Sequence, residues 1–352
     1  MKKEFVIVNT KQFSYHTDTL KYCEKLKNKY NVSYICLDQG HNKILEKGIN
    51  VFYINDASFV FLRELKFVFK SFMLLRKKPK NTVVFIVYNR LSFLLNLFLI
   101  NKKTILDIRT GSVHKSFKVR FFEDLVLKFN TFFFKKISII SDGLAKKLSI
   151  NKYFLVPLGS DIISNSKKNF ESLRLLYVGT LHNRNIHVII DSLKLVIDNY
   201  PDAIESLDIF GSGSLKEENL INTKIKNHKL SKVATFHGFK PHSSIQQFFD
   251  KSNVGLSFIP VTPYFNFQPP TKTYEYIMSG LFCIATNTTA NKEIIDNSNG
   301  ILTRDNSKSL ADAIIKTYKK RFNLNSFLIQ DTLKNHTWNQ IIDNKLTPLI
   351  ES

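Results

Sequence analysis

The sequence predicts an α/β protein of two consecutive Rossmann-like domains, each a doubly wound parallel sheet. The chain has 352 residues, about the length of two domains. Short runs of β-branched and aromatic residues alternate with longer segments of helical period. One polar stretch, residues 164–169, interrupts this alternation, which then resumes. We therefore expect domains at residues 1–164 and 165–330, with residues 331–352 as a helical segment that packs back on the first domain.

In the first domain the strand-like runs are apolar throughout, and helical segments lie between them. Such runs are typical of strands that are buried on both faces of a parallel sheet. The predicted strands are Phe5–Val8, Val32–Cys36, Val51–Ile54, Val83–Val87, Thr104–Ile108, Ile137–Ile140 and Phe154–Val156. The predicted helices are Thr17–Lys29, Phe59–Arg76, Ser116–Phe134 and Gly143–Leu148.

The second domain repeats this pattern, and the segment around Trp338 is expected to close the chain as a capping helix. The predicted strands are Leu173–Val178, Leu207–Phe210, Val233–Phe236, Val254–Phe258 and Phe282–Ala285. The predicted helices are Ile186–Asn199, Leu215–Asn227, His242–Asp250, Thr273–Ser279 and Ser309–Arg321. Sheets of this type bind ligands beyond the carboxyl ends of their strands, so we expect the site in a cleft between the two domains.

The net charge of +22 is concentrated in the first domain. Residues 1–164 contain 29 basic and 12 acidic side chains, a net charge of +17. Nucleic acid, an anionic membrane face and a phosphorylated substrate are all partners that such an excess fits. An AT-rich genome, which favours Lys, Asn, Ile and Phe codons, is an alternative source of part of the excess.

The cysteine count and the apolar runs indicate a reducing, non-secreted setting. Cys23, Cys36 and Cys283 are widely spaced, which argues against a disulfide framework and a zinc site. The apolar run after Met1 is too short for a signal peptide, and Leu91–Ile100 is well short of the roughly 20 residues that a membrane span requires. We expect a cytoplasmic protein, soluble or peripheral to the membrane.

Three glycine-bearing turns follow strands of the second domain. Gly179 ends the first of these strands, and Arg184 comes shortly before the next helix, an arrangement that suits a diphosphate. The segment 208–214 holds Gly211 and Gly213 but lacks the third glycine of a dinucleotide fingerprint. The third turn holds Gly238 and Phe239. Tight turns without any ligand are the alternative interpretation of each segment.

The stretch 269–286 is the most informative part of the sequence. Two prolines precede Thr271, Lys272 and Thr273, so a helix is expected to begin there with a threonine cap and a positively charged first turn. Glu275 is expected in that first turn. Its carboxylate is interpreted either as a capping group or as an acceptor for paired sugar hydroxyls.

These motifs, in this order over roughly residues 173–303, resemble the donor domain of family 4 glycosyltransferases, which have the GT-B architecture. They are Tyr177-Val178-Gly179, Asp208 to Gly213, Phe236-His237-Gly238, and Pro270-Thr271-Lys272 through Glu275-Tyr276 to Ser279-Gly280 and Ile284-Ala285-Thr286. In the amino-terminal half the resemblance is looser. There, His16, Leu106 to Thr110, Ile140 to Gly143 and Val156 to Asp161 match the family's landmarks in order.

The resemblance implies a nucleotide-sugar donor in the cleft. Glu275 would hold the ribose hydroxyls, and Arg184 and Lys272 would neutralise the diphosphate, so these three are the expected catalytic residues. The expected donor-binding residues are Gly179, Thr180, Gly211, Gly213, Gly238, Phe239, Thr271 and Thr273. The expected acceptor-side residues are His16, Asp107 and Arg109. The family transfers with retention of configuration, and no metal or other cofactor is expected, since no Asp-x-Asp pair is present.

One position departs from the family pattern. Most members have a second glutamate eight positions before the equivalent of Glu275, where this chain has Phe267 followed by Gln268. The pattern Pro-Thr-Lys-x-x-Glu-Tyr resembles the variant of polysaccharide-assembly members. Thr180 stands where an arginine is frequent in the family, which leaves Arg184 as the main cation of that loop.

The resemblance therefore predicts a hexosyltransferase that acts on a lipid-linked or other saccharide acceptor in surface polysaccharide biosynthesis (lipopolysaccharide O-antigen, capsule or exopolysaccharide). We expect it at the inner face of the cell membrane. Residues 59–80 and 116–136 mix Phe and Leu with Lys and Arg, which favours helices that lie on anionic lipid. The alternative is that the aromatic side chains form the core and the lysines a solvated face. The alternatives are a nucleotide-sugar 2-epimerase, an inactive family member and a basic nucleic-acid-binding protein. No nucleic-acid-binding motif accompanies the charge, so no nucleic acid partner is expected.

Overall fold

The computed structural model describes residues 2–55 and 60–352, and it divides into two compact units. Unit 1 comprises Met1–Leu158 and Trp338–Ser352, and unit 2 comprises Gly159–Thr337. In the described part of the chain, no helix is both long and apolar enough to cross a membrane.

Unit 1 contains a seven-stranded sheet in which each pair of neighbouring strands is parallel. Its strands are β1 (Lys3–Asn9), β2 (Tyr30–Asp38), β3 (Ile49–Asn55), β4 (Val83–Val87), β5 (Lys103–Ile108), β6 (Ile137–Ile139) and β7 (Phe154–Leu155). Their order across the sheet is β3-β2-β1-β4-β5-β6-β7. The helices between them are α1 (Thr17–Leu26), α2 (Val60–Leu75), α3 (Ser92–Phe98), α4 (Phe117–Thr131) and α5 (Asp142–Leu148).

Unit 2 contains a six-stranded parallel sheet with the order β10-β9-β8-β11-β12-β13. Its strands are β8 (Leu173–Val178), β9 (Ile204–Phe210), β10 (Ala234–Phe236), β11 (Val254–Ser257), β12 (Phe282–Thr286) and β13 (Gly300–Thr303). Its helices are α6 (His187–Asn199), α7 (Leu215–Asn227), α8 (His242–Lys251), α9 (Thr271–Met278), α10 (Thr289–Lys292), α11 (Ser307–Lys319) and α12 (Ser326–Asp331). The order changes direction at β8, where β9 lies on one side and β11 on the other.

The end of the chain returns to unit 1 as α13 (Trp338–Ile341), a π-helical turn over Ile342–Leu346, and α14 (Thr347–Glu351). Trp338 is buried there, with its ring 6.2 Å from that of Tyr22 in α1. The three cysteines are buried and form no disulfide.

The predicted pair of doubly wound parallel sheets is confirmed. Sequence analysis missed α3, α10, α12 and β13, all short, and extended several helices by a few residues. The predicted helix Phe59–Arg76 is observed as Val60–Leu75, and Phe59 lies outside the described residues. The predicted helix Thr273–Ser279 was placed too late, because α9 begins directly after the two prolines, at Thr271.

Candidate functional site

A cavity of about 350 Å³ opens in unit 2 where β8 ends and α9 begins. We call it the strand-end cavity. It lies beside β8, the strand at which the order of the sheet reverses, and this is where doubly wound sheets bind ligands. It is lined by Val178, Gly179, Thr180, Arg184, Ile259, Phe265, Gln268, Pro269, Pro270, Thr271, Lys272 and Glu275. It therefore gathers all three expected catalytic side chains and three of the expected donor-binding residues.

Glycine is required at the turns beside this cavity. Gly179 and Gly211 have φ values of 149° and 150°, in a region that favours glycine. A Cβ atom on Gly211 would lie 1.9 Å from the carbonyl oxygen of Gly179, so no larger residue fits. The backbones also join, since the Gly179 N–H donates to Phe210 and the Gly211 N–H donates to Gly238. The three glycine turns thus form one hydrogen-bonded edge.

Two cations face the cavity, buried Lys272 and half-buried Arg184, and each lies over an aromatic ring. The Arg184 guanidinium is 3.7 Å from the centroid of the Phe265 ring, and the Lys272 Nζ is 3.9 Å from that of Tyr177. Burial, together with repulsion from Arg184, lowers the pKa of Lys272 to about 7. Burial also lowers the pKa of Arg184. Within the described residues neither cation forms an ion pair, so their charge is available to an anionic ligand.

Helix α9 supplies Lys272 and Glu275, and its start differs from the prediction. Pro270 is the N-cap residue, with no side-chain cap, so the expected threonine cap is wrong. Thr271 is the first residue of the helix and lines the cavity. Since the helix begins at Thr271, Glu275 lies in its second turn rather than in the first, and it lines the cavity there.

The remaining contacts of α9 fix it to the sheet. The Thr273 hydroxyl is buried and bonds to the Ser257 hydroxyl at 2.7 Å, which directs it away from the cavity lining. The Tyr276 hydroxyl accepts the Val178 N–H at 2.7 Å. A Cβ atom on Gly255 of β11 would lie 2.2 Å from Tyr276 Cγ, so this glycine makes room for the tyrosine. These contacts hold Lys272 and Glu275 at the end of β8.

Four other predicted donor-binding residues lie outside the lining of the cavity. Gly211 packs closely against the backbone of Gly179. The Gly213 N–H donates to the Glu218 carboxylate in the first turn of α7. Gly238 occupies a turn with a φ of 68°, and Phe239, which follows it, is 70% exposed. These residues belong to the same sheet edge, but the cavity does not gather them.

Glu217, which sequence analysis did not select, links two of the loops. Its carboxylate accepts the Asn183 N–H at 2.9 Å and the Ser214 N–H at 2.8 Å, the second as part of a capping box on α7. The hydrogen bond from the Ser214 backbone lowers the pKa of Glu217 to about 2. The signal was present in the sequence as Ser-x-x-Glu, the capping-box pattern.

The acceptor-side candidates lie in unit 1, at the carboxyl end of β5 and at the start of α1. Arg109 forms an ion pair with Asp18, and its Nη1 donates to the Val156 carbonyl at 2.7 Å and lies 3.9 Å from Asp107 Oδ1. Asp107 is fully buried and accepts a hydrogen bond from Ser138. His16 is near this group, and burial lowers its pKa. The structure brings the three predicted residues together around Asp18, which sequence analysis missed.

In the described part of the chain, no group of three His, Cys, Asp or Glu side chains has the arrangement of a metal site. That a reaction here needs no metal remains a prediction from the resemblance.

Comparison with known proteins identifies the class of fold. Residues 172–320 match the family model described as glycosyl transferases group 1, which covers less than half of the chain and lies within unit 2. A search of curated protein sequences finds no match.

Several solved structures match the whole chain. The lipopolysaccharide outer core galactosyltransferase WaaB, in its apo form, is 15% identical with a TM-score of 0.74, over 99% of this chain and 99% of that one. A glycosyltransferase from Rickettsia africae is 16% identical with a TM-score of 0.73, over 99% and 98% of the two chains. Anabaena HepE in complex with UDP is 12% identical with a TM-score of 0.73, over 100% of each chain. The chain thus has the GT-B fold, and its residues 172–320 match the glycosyl transferases of group 1.

Proposed function

We propose that this chain is a glycosyltransferase that takes its sugar from a nucleotide-sugar donor bound in the strand-end cavity. The observation that carries the proposal is a pair of cations, half-buried Arg184 and buried Lys272, on one cavity of the region that matches the glycosyl transferases of group 1. Buried cations without an ion pair are costly unless an anion joins them, and a diphosphate supplies that anion.

The lining residues have distinct roles in this proposal. Arg184 and Lys272 contact the diphosphate, where Arg184 offers a planar fork of donors and Lys272 a point charge. Glu275 accepts the ribose hydroxyls. Gln268 lines the cavity next to Phe267, the position that differs from the family pattern. It offers an uncharged amide to the sugar where most members of the family have a carboxylate. Gly179 gives the ligand access to the backbone.

The two cations also suit the chemical step. The bond between the anomeric carbon and the diphosphate oxygen breaks, and a bond from the same carbon to an acceptor oxygen forms. The leaving phosphate takes the acceptor's proton, and attack from the same face retains the configuration. Negative charge grows on the leaving phosphate during this step. Fixed cations therefore stabilise the transition state more strongly than they stabilise the bound donor. The proposal requires no metal or other cofactor.

We extend the proposal to a lipid-linked saccharide acceptor and to surface polysaccharide assembly at the inner face of the cell membrane. Support comes from the similar structures, of which WaaB is a lipopolysaccharide outer core galactosyltransferase. HepE has also been solved in complex with UDP and glucose. The positive charge of residues 1–164 fits an acceptor that carries phosphate. His16, Asp107 and Arg109 are the proposed residues on the acceptor side.

The direct test is a scan of nucleotide sugars for ligand-induced stabilisation of the purified protein. A donor at a hundred times its Kd should stabilise the folded state by about 2.7 kcal/mol, seen as a rise in the unfolding midpoint. Glu275→Ala should lose this rise. The matched control is Glu171→Ala, an exposed glutamate of the same unit, which should keep it. Stabilisation by no nucleotide sugar, or an equal rise in both variants, would contradict the proposed donor site.

The stabilising donor then allows the reaction to be identified. Incubation with a lipid-linked saccharide should release the nucleoside diphosphate and form a glycoside whose anomeric configuration, read by NMR, matches that of the donor. The same reaction with a chelator present should proceed at the same rate. An altered sugar formed without any acceptor would instead identify an epimerase.

A further inference from the structure

Helix α4 of unit 1 turns its carboxylates toward the protein. Glu123 accepts a hydrogen bond from Ser112 and pairs with Arg90 at 2.7 Å. Asp124 accepts the Ser112 N–H at 2.8 Å and pairs with Lys147 at 3.0 Å. Both acidic side chains of the helix are thus neutralised by unit 1 itself.

The buried face of α4 is completed by Leu127 and Asn130, which are 1% and 0% exposed. Asn130 accepts the Phe93 N–H at 2.8 Å and donates to the Arg90 carbonyl at 3.2 Å. An acidic pair and an asparagine are unusual on the inner face of a surface helix, which is ordinarily the apolar one.

The outer face of α4 is apolar instead. Five of its large apolar side chains and the first phenylalanine beyond the helix are 48% to 77% exposed. The spacing of three and four residues places most of them along one stripe. We call this stripe the α4 apolar face, and it consists of Phe117, Phe121, Phe122, Leu125, Phe129 and Phe132. A contiguous exposed patch of this kind marks an interaction surface.

A basic pocket of about 330 Å³ follows the end of α4. Four lysines line it together with exposed Leu97 and Ile100 of the α3 end, and we call it the lysine pocket; the lysines are Lys102, Lys103, Lys135 and Lys136. No ion pair of these lysines is found in residues 2–55 and 60–352. Burial and repulsion from Lys136 lower the pKa of Lys103 to about 8, which shows how little negative charge faces it.

The acceptors near the lysine pocket are mostly neutral. Lys103 Nζ donates to the Ile350 carbonyl and Lys136 Nζ to the Ser352 hydroxyl, each at 2.7 Å. Glu351 is the carboxylate that acts on Lys103, and it also accepts a hydrogen bond from Tyr30. Positive charge therefore dominates the end of the helix that the apolar face also reaches.

We propose that the α4 apolar face and the lysine pocket dock unit 1 on a bilayer that contains anionic phospholipid. The phenyl rings enter the boundary between headgroups and acyl chains, and the lysine pocket receives a lipid phosphate. The inference rests on the membrane-facing part of the proposed function and names the surface that carries it.

The chemistry of the face favours a bilayer over a protein. Phe and Leu carry no polar atom, whereas protein interfaces combine apolar anchors with hydrogen-bonding groups. A second copy of the chain would bring two basic ends toward each other unless it packed antiparallel, and the inward carboxylates offer it no countercharge. Anionic lipid matches both the apolar stripe and the lysines.

Helix α2, the other membrane candidate from sequence, is a different case. Its Phe67, Val68 and Leu75 are at most 2% exposed and belong to the core of unit 1. From residue 62 onward, the exposed large apolar side chains of α2 are Leu62 and Phe69, which are too few to form a stripe. We therefore assign docking to α4 and use α2 as the control.

The first test measures sedimentation of the full chain with vesicles of phosphatidylcholine, with and without phosphatidylglycerol, at low salt. The wild type should partition to the anionic vesicles. The double variant Phe121→Ser/Leu125→Ser should bind at least about tenfold more weakly, because two exposed apolar side chains no longer enter the bilayer. Phe69→Ser on α2 should bind like the wild type. The fluorescence of Trp338, the one tryptophan in the sequence, checks that unit 1 stays folded.

The second test separates charge from insertion. Lys135→Gln/Lys136→Gln should weaken binding to the anionic vesicles and flatten its salt dependence, while Lys152→Gln, an exposed lysine elsewhere in unit 1, should not. Phe121→Trp should show quenching by brominated lipid, against the unquenched baseline of buried Trp338 in the wild type.

Three outcomes would overturn the inference. They are no preference of the wild type for anionic vesicles, equal binding of the Phe121→Ser/Leu125→Ser variant, and a wild-type dimer in solution that this variant converts to a monomer, which would make a second copy the occupant. Nucleotide-sugar stabilisation without vesicles reports on unit 2 alone. Its failure with intact vesicle binding would contradict the donor site and leave the docking surface standing, and the reverse result would do the opposite.

Discussion

Each of the two Rossmann-like units holds cationic side chains near the ends of its parallel strands, but the electrostatic settings are opposite. In unit 1, Arg109 follows β5 and lies between Asp18 and Asp107. In unit 2, Arg184 and Lys272 lie over the rings of Phe265 and Tyr177, and neither forms an ion pair within the described residues. The two units thus differ although their architecture is similar. In unit 1 the cation is neutralised by carboxylates of the same unit, whereas in unit 2 the two cations have no carboxylate partner among the described residues.

The direction of the pKa shifts reflects this contrast. Burial lowers the pKa of a guanidinium, yet Asp18, Tyr22 and Asp107 outweigh it and raise the pKa of Arg109. Burial dominates in unit 2, where the pKa values of Arg184 and Lys272 are lowered. A cation that has its partners stabilises the fold, and a cation that lacks them is suited to a ligand. The contrast predicts opposite consequences for similar mutations.

The largest expected effect is on the stability of unit 1. Arg109→Met should lower the free energy of unfolding by about 3–5 kcal/mol, because it leaves two buried carboxylates without their cation. Urea titration followed by Trp338 fluorescence reports on unit 1, where that residue is buried. Arg184→Met is the matched control and should leave this transition in place. Equal losses in both variants would remove the proposed contrast.

The second effect is on the proposed transfer reaction. Arg184→Met and Lys272→Met should each lower kcat by roughly 10²- to 10³-fold, since each removes a fixed positive charge from the leaving phosphate. The unfolding midpoint should stay within a few degrees of the wild type. Arg304→Met, an exposed arginine of the same unit, serves as the control. Full activity of both cavity variants would contradict their role in the donor site.

A smaller effect follows from the pKa of Lys272, which is about 7 in the folded chain. Below that pH the ammonium is charged before the donor arrives, whereas above it binding must take up a proton. Donor affinity should therefore be constant up to about pH 7 and then fall by at most tenfold per pH unit. Calorimetry in buffers of different ionisation enthalpy should show proton uptake rising from pH 6 to pH 9.

The conservative variant separates this titration from other causes. Lys272→Arg keeps a charge that does not titrate in this range, so its affinity profile should be flat. A nucleotide sugar is the right probe, since its diphosphate diester does not titrate near neutrality. A fall of affinity that persists in Lys272→Arg would assign the pH dependence to another group.

The sequence was sufficient to predict the sheets and six of the twelve residues that line the cavity. The three glycine turns could be placed together because strands of one parallel sheet end at a common edge. Arg184, Lys272 and Glu275 were grouped by the resemblance to family 4 glycosyltransferases. The start of α9 was missed by two residues. The reason is that two prolines fix the chain before Thr271, so no threonine cap is required.

Contacts between distant parts of the sequence were beyond such reasoning. The spacing of residues does not tell that the ring of Phe265 lies under Arg184, or that Asp18 pairs with Arg109 across about ninety positions. For residues 116–136 the sequence left two interpretations open, a helix that lies on a membrane and a helix whose aromatic side chains belong to the core. Phenylalanines in a helical pattern ordinarily face a core, and only the packing of Glu123 and Asp124 inward shows that this helix is reversed.

The smallest expected effect concerns Asp107, whose pKa is raised to about 6 by burial despite the pull of Arg109. The folded state therefore binds this proton more tightly than the unfolded chain, in which the pKa is near its ordinary value of 3.8. The contribution of Asp107 to the free energy of unfolding should thus grow as the pH falls from about 6 toward 4, the reverse of a carboxylate with a lowered pKa. Measured against Asp107→Asn, the wild type should gain stability over this interval. A stability difference that is independent of pH, or one that shrinks on acidification, would contradict this prediction. It would show that the charge of Arg109 outweighs burial and keeps Asp107 ionised in the folded state.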